Sequence, residues 1–157
     1  MHNRIVLGLL ATLALGSVAV LAQQPASPIR RIAQVTIVVE DQDQALRYYV
    51  DKLGFEKRQD QTMGAFRWVT VAPPEQKDLE VVLEKPTGEM GEARKKQLAM
   101  QIGQAPAWVF ETPDCKAAYE TLKARGVEFV TPPQKLPYGT QAVFKDLYGN
   151  TFALVQR

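Results

Sequence analysis

The chain has 157 residues, a length that suits one ordinary domain, and its 46% hydrophobic and 23% charged residues exclude a disordered or fibrous protein. A formal charge of +2 excludes the strong basic field on which nucleic-acid binding relies. Cys115 is the single cysteine, so no internal disulfide can form and the core must hold by burial.

Residues 1–22, "MHNRIVLGLLATLALGSVAVLA", begin with a short basic head at Arg4 and continue as an uncharged apolar run. Val20 and Ala22 are small residues placed for a cut before Gln23, which predicts a secretory signal peptide. Retention as a membrane anchor is the alternative, because the run could just span a bilayer. Cleavage implies a periplasmic or secreted protein without membrane contact thereafter. Residues 23–31 are a polar lead-in. His2 is the only histidine and leaves with the signal, which excludes a Ser/His/Asp triad and removes the commonest metal ligand.

Val35, Ile37 and Val39 alternate with Gln34, Thr36 and Val38, the periodicity of a strand. Asp41, with Gln44 three positions on, predicts a helix start. Ala45, Leu46, Tyr49 and Leu53 follow at helical spacing, and Gly54 supplies the left-handed residue that ends the helix. Strands are predicted over 55–62, 66–72 and 78–84, closing a first module at 32–85. The polar, Gly-containing segment 86–105 reads as a linker with a short helix. Its alternative role is a lid carrying Met90 or Met100 over a cavity.

The second module, 106–157, repeats this order. A strand at 107–111 leads to Thr112, a potential cap, then Pro113 and Asp114 in the first turn of a helix over 115–125. Gly126 ends that helix, and strands follow at 127–133, 139–146 and 151–157. Gly54 and Gly126 lie 72 positions apart, as do Ala45 and Ala117, and Glu84 and Gln156. Self-similarity at a fixed period is the mark of a duplicated supersecondary unit. The expected fold is α+β: two tandem βαβββ modules forming a curled, mostly antiparallel sheet around one cleft, with helices on the outer face.

The paired modules, "VEDQDQALRYYVDKLGF" in the first and "DLYGNTFALVQ" in the second, resemble the vicinal oxygen chelate superfamily, which includes glyoxalase I, bleomycin-resistance proteins and extradiol dioxygenases. The resemblance covers residues 32–157. It implies that, in metal-using members, each module offers one ligand from its first strand, usually His, and one from its last, usually Glu. Carried onto this chain, the first-strand positions are Gln34 and Ala107. The last-strand position after "GN" is Ala153, and the repeat offset carries it to Val81. An amide oxygen is a poor ligand for a transition metal, and Val and Ala offer none. The expectation is therefore a protein without a metal cofactor that binds a small molecule, as bleomycin-resistance proteins do by sequestration. Homodimerisation is plausible on the same resemblance.

Candidate cleft residues are Gln34, Thr36, Arg67, Val81, Ala107, Val109 and Ala153. The rival reading is a lyase or dioxygenase-like enzyme with a divalent metal held by displaced carboxylates, Glu80, Glu84 and Glu111. Arg67 and Trp68 alternate on one strand, so one faces the cleft, as an anion clamp or a stacking platform, and the other faces the helix. The favoured arrangement has Trp68 packed and Arg67 solvated. Trp108, Phe110, Phe152 and Tyr49 read as core, and Tyr138 as a residue of the rim. Cys115, in a helix first turn, reads as structural rather than reactive.

Overall fold

A computed structural model describes residues 28–89 and 91–157. The predicted signal segment and Met90 lie outside the described residues. The chain divides into units Met1–Arg30 and Arg31–Arg157, and the architecture below belongs to the second. Among the described residues no helix is long and apolar enough to cross a membrane.

The first module holds β1 (Gln34–Val38), α1 (Gln42–Arg47), β2 (Glu56–Met63), β3 (Phe66–Ala72) and β4 (Glu80–Glu84). The linker carries α2 (Glu92–Ala99). The second module holds β5 (Val109–Glu111), α3 (Cys115–Ala124), β6 (Glu128–Leu136), β7 (Gly139–Lys145) and β8 (Thr151–Gln156). The strands form two four-stranded sheets, ordered β1-β4-β3-β2 and β5-β8-β7-β6. In each, only the first strand runs parallel to its neighbour. The α+β class, the two βαβββ modules and their duplication stand as read from the sequence.

Local chemistry sets the boundaries. The Asp41 side chain accepts the Gln44 N–H at 2.8 Å and starts α1. The second cap is Asp114 rather than Thr112. Its carboxylate takes the N–H groups of Lys116 and Ala117, while Thr112 Oγ1 serves the turn just before. β6 runs past Pro132 and Pro133 to Leu136, beyond its predicted end. It can do so because it is an edge strand, where a missing N–H breaks no ladder, and its register shifts between Thr131 and Gln134.

The two modules are not in simple 72-residue register. The caps Asp41 and Asp114 are 73 apart, and the helix-ending glycines 72. The first helix thus carries one residue more, and it is absorbed in a π-helical turn, Tyr48–Lys52. Val39 donates to the Glu84 carbonyl where Thr112 donates to that of Val155, so the final strands correspond 71 apart. A one-residue change of register exchanges the faces of a strand, which bears on the site below.

Ile37, Val39, Val69, Val71, Val81 and Leu83 face α1, while Phe110, Ala142, Phe144, Phe152 and Leu154 lie on the α3 side. Both sets join one core cluster with Tyr49 and Phe55. The aromatic half is tightly arranged: Phe152 stacks on Trp108 at 5.6 Å and meets Phe110 edge-on at 5.5 Å. Trp108, Phe110, Phe152 and Tyr49 are therefore core residues, as read.

The "DLYGN" turn ties the halves together. Buried Asp146 accepts the Tyr49 hydroxyl at 2.8 Å and the Asn150 amide at 2.7 Å, plus the backbone N–H groups of Tyr148 and Asn150. Tyr148 Oη accepts the Asp41 N–H and donates to the Asp41 carbonyl, and Tyr48 donates to the Lys145 carbonyl. Asn150 Oδ1 accepts from Ala105.

Burial, with the Asp146 carboxylate beside it, pushes the Tyr49 phenol well above its ordinary value. The fold thus favours the neutral phenol. Its contribution is complete below the unfolded value of about 10 and is lost as pH rises beyond it. Denaturation midpoints measured across the alkaline range should fall more gently for Tyr49→Phe than for the parent, although the variant starts lower.

Candidate functional site

Each sheet has one face against the shared core and one facing away. In the first module, the residues that alternate with the core set on β1, β3 and β4 are Gln34, Thr36 and Val38, Phe66, Trp68 and Thr70, and Glu80, Val82 and Glu84. On β2, Gln59, Gln61 and Met63 pair with Thr70, Trp68 and Phe66 and so share this open face. It carries a cavity of about 500 Å³ lined by Thr36, Phe66, Trp68, Val82, Glu84, Thr87 and Glu89. Phe66 and Trp68 meet with ring centroids 6.0 Å apart, and Glu89 reaches back to accept the Ala65 N–H at 3.2 Å.

Arg67 is not part of this face. It lies on the α1 side, where Nε and Nη2 donate to both oxygens of Asp60 at 2.7 and 2.9 Å, and Nη1 to Asp43 at 2.7 Å. With its fork already filled by carboxylates it offers no anion clamp. The alternation instead turns Trp68 to the open face, reversing the arrangement favoured from sequence. The Arg67 bonds hold the Asp60 carboxyl at about 2. That contribution to stability is present above the ordinary carboxylate value of about 4 and disappears as pH falls through about 2. In Arg67→Ala, an NMR titration of Asp60 should return its midpoint towards about 4.

Val81 is likewise misplaced by the sequence reading. It is 5% exposed and belongs to the core cluster. Because the last strands correspond 71 apart, the residue equivalent to Ala153 is Val82. Val81 and Val109 do share a cavity of about 290 Å³, with Val35, Pro73, Gln76, Leu79, Trp108 and Phe110, between the starts of the two modules.

Ala107, Val109 and Ala153 fall on the open face of the second module, with Val109 and Ala153 directly opposite in the parallel ladder. Val109 is 60% exposed. Gln34 and Thr36 belong to the first module's face and are exposed. The candidate set is thus divided between two surfaces, with Arg67 and Val81 on neither. Tyr138 is exposed in the β6–β7 turn and donates to Gln141 Oε1. Met100 is 73% exposed.

Glu80 pairs with Gln34 and accepts the Gln59 amide at 2.9 Å, and Glu84 shares its face two residues on. Glu111 lies in the other module, lining a different cavity with Pro73, Glu75, Gln76, Val109 and Phe110. The three carboxylates do not converge. Among the described residues no group of three or more His, Cys, Asp or Glu side chains is placed to hold an ion. At the four positions to which the resemblance carries the metal ligands, with the register corrected, stand Gln34, Val82, Ala107 and Ala153, one amide and three hydrocarbons. That donor set does not fit a divalent metal. Cys115 is fully buried, its Sγ 3.6 Å from the Leu154 carbonyl, and burial pushes the thiol up. This is the inert condition for a cysteine.

A profile of the Glyoxalase/Bleomycin resistance protein/Dioxygenase superfamily matches residues 31–154. A Bacillus subtilis (strain 168) protein, YurT, described as uncharacterized, is 39% identical over 81% of this chain and 99% of its own length. The crystal structure of UcmS2 superposes with a TM-score of 0.74 at 39% identity, covering 82% of this chain and 99% of its own. TnmS3, described as an antibiotic binding protein from Streptomyces sp. CB03234, superposes with a TM-score of 0.68 at 30% identity, covering 83% and 98%.

Proposed function

The chain belongs to the Glyoxalase/Bleomycin resistance protein/Dioxygenase superfamily, and from that membership we propose that it binds a small organic molecule on its open face without a metal cofactor. The observation that carries this reading is the first module's cavity. Trp68 and Phe66 form a ring platform beside Val82, with Thr36, Thr87, Glu84 and Glu89 as polar groups around it, a combination of apolar area and orienting groups that suits a small-molecule site. The description of TnmS3 as an antibiotic binding protein supports the class of function. The ligand-position residues Gln34, Val82, Ala107 and Ala153 support the absence of metal chemistry.

Two further proposals accompany this one. The segment 1–22 directs export, so the mature protein acts in the periplasm or outside the cell. Two copies pair, bringing the first module's open face of one against the second module's open face of the other. Exposed Val109 supports this, because pairing would cover it.

The test is a ligand screen by thermal shift on the purified protein, with metal content measured in parallel. The reading expects ligand-dependent stabilisation without bound metal, abolished by Trp68→Ala. Near-stoichiometric metal, lost in Glu80→Ala, would overturn it. Light scattering checks the pairing, and N-terminal sequencing of exported protein checks the cut before Gln23.

A further inference from the structure

The first module's cavity has a definite charge. Glu84 and Glu89 line it, and its lining contains no Lys or Arg. Arg67, the cation nearest in sequence to Trp68, is turned to the other side and held by Asp60 and Asp43. Lys85 follows Glu84 in sequence, and its charge acts on Asp41. The two carboxylates differ. Glu89 accepts a backbone N–H from Ala65, while the half-buried Glu84 carboxylate takes no hydrogen bond or ion pair among the described residues.

Thr70 is fully buried, and among the described residues its Oγ1 has no hydrogen-bond partner. It lies beside Trp68 on β3 and opposite Val82, which lines the cavity. Thr70 does not line the cavity, so its hydroxyl belongs to the floor of the sheet beneath the ring platform.

Aromatic faces carry negative potential, and Trp is the strongest of them for attracting a cation. A ring platform beside a free carboxylate, with no cation in the described lining, selects for positive charge. Resting on the small-molecule reading above, we propose that this face binds flat organic cations, protonated heteroaromatic amines or quaternary ring nitrogens. Their rings lie against Trp68 and Phe66 while their charge meets Glu84.

Two flat two-ring probes of opposite charge test this: 1-methylquinolinium and 2-naphthoate, titrated into the purified protein and followed by Trp fluorescence and calorimetry. The expected result is a quinolinium Kd at least tenfold below that of naphthoate. Glu84→Gln should weaken quinolinium about tenfold and leave naphthoate unchanged or bound more tightly. Trp68→Leu should weaken both, and added salt should weaken quinolinium alone. Thermal unfolding of each variant confirms that it folds. Equal or tighter binding of naphthoate overturns the charge assignment while leaving the small-molecule reading intact. An unchanged quinolinium affinity in Glu84→Gln does the same. Failure of both probes at millimolar concentration overturns the assignment and counts against that reading too.

Discussion

Asp146→Ala is expected to destabilise the protein by about 4 kcal/mol, read as a lower denaturation midpoint at neutral pH. The carboxylate accepts four hydrogen bonds in a site only 6% exposed. Its removal leaves the Tyr49 hydroxyl and the Asn150 amide as buried donors without an acceptor, and each such orphan costs about 1–3 kcal/mol. It also opens the turn that joins the second module to the first helix. Asp146→Asn keeps the shape and one acceptor oxygen, so it should cost clearly less. Equal losses in the two variants would show that packing, and not the carboxylate's acceptor capacity, is what the position supplies.

Phe152→Ala is expected to cost a similar amount, about 4 kcal/mol. The ring is fully buried and meets Trp108, Phe110 and Phe144, so alanine leaves a cavity walled by rigid rings that cannot collapse into it. Phe66→Ala is the internal comparison. Phe66 is half-buried on the open face, touches Trp68 and lines a cavity that solvent already reaches. Its loss should cost less than about 1 kcal/mol of stability and show instead as weakened ligand binding. Opposite outcomes at these two phenylalanines would reverse the assignment of the faces.

The fold was legible because its signals are local. Period-two alternation around Ile37, the aspartate before each helix and the glycine after it all depend on near neighbours in sequence. The site was less so, because it depends on which side of a strand a residue occupies. A single offset, taken from Gly54 and Gly126, put Val81 on the open face. The extra residue in the first helix and the shorter return to the last strand in the second module shift that offset by one in each direction. Trp68 had the spacing of a platform residue, yet its side could be settled only by the carboxylates of Asp43 and Asp60, which are distant from it in sequence and capture Arg67. The Asp146 network was invisible for the same reason: "DLYGN" reads as a turn, and its partners Tyr49 and Asp41 lie a hundred residues earlier.

The apolar side of each sheet is covered in part by the other half of the chain, with aliphatic residues from one module meeting aromatic rings from the other. A polypeptide comprising a single βαβββ unit would leave such a surface bare and could persist in water only by associating with its own kind. Carrying both units on one chain makes that association intramolecular and leaves the two halves free to differ. Each half could then take on its own chemistry, one supplying branched chains and an acidic groove, the other supplying rings and the knot at Asp146.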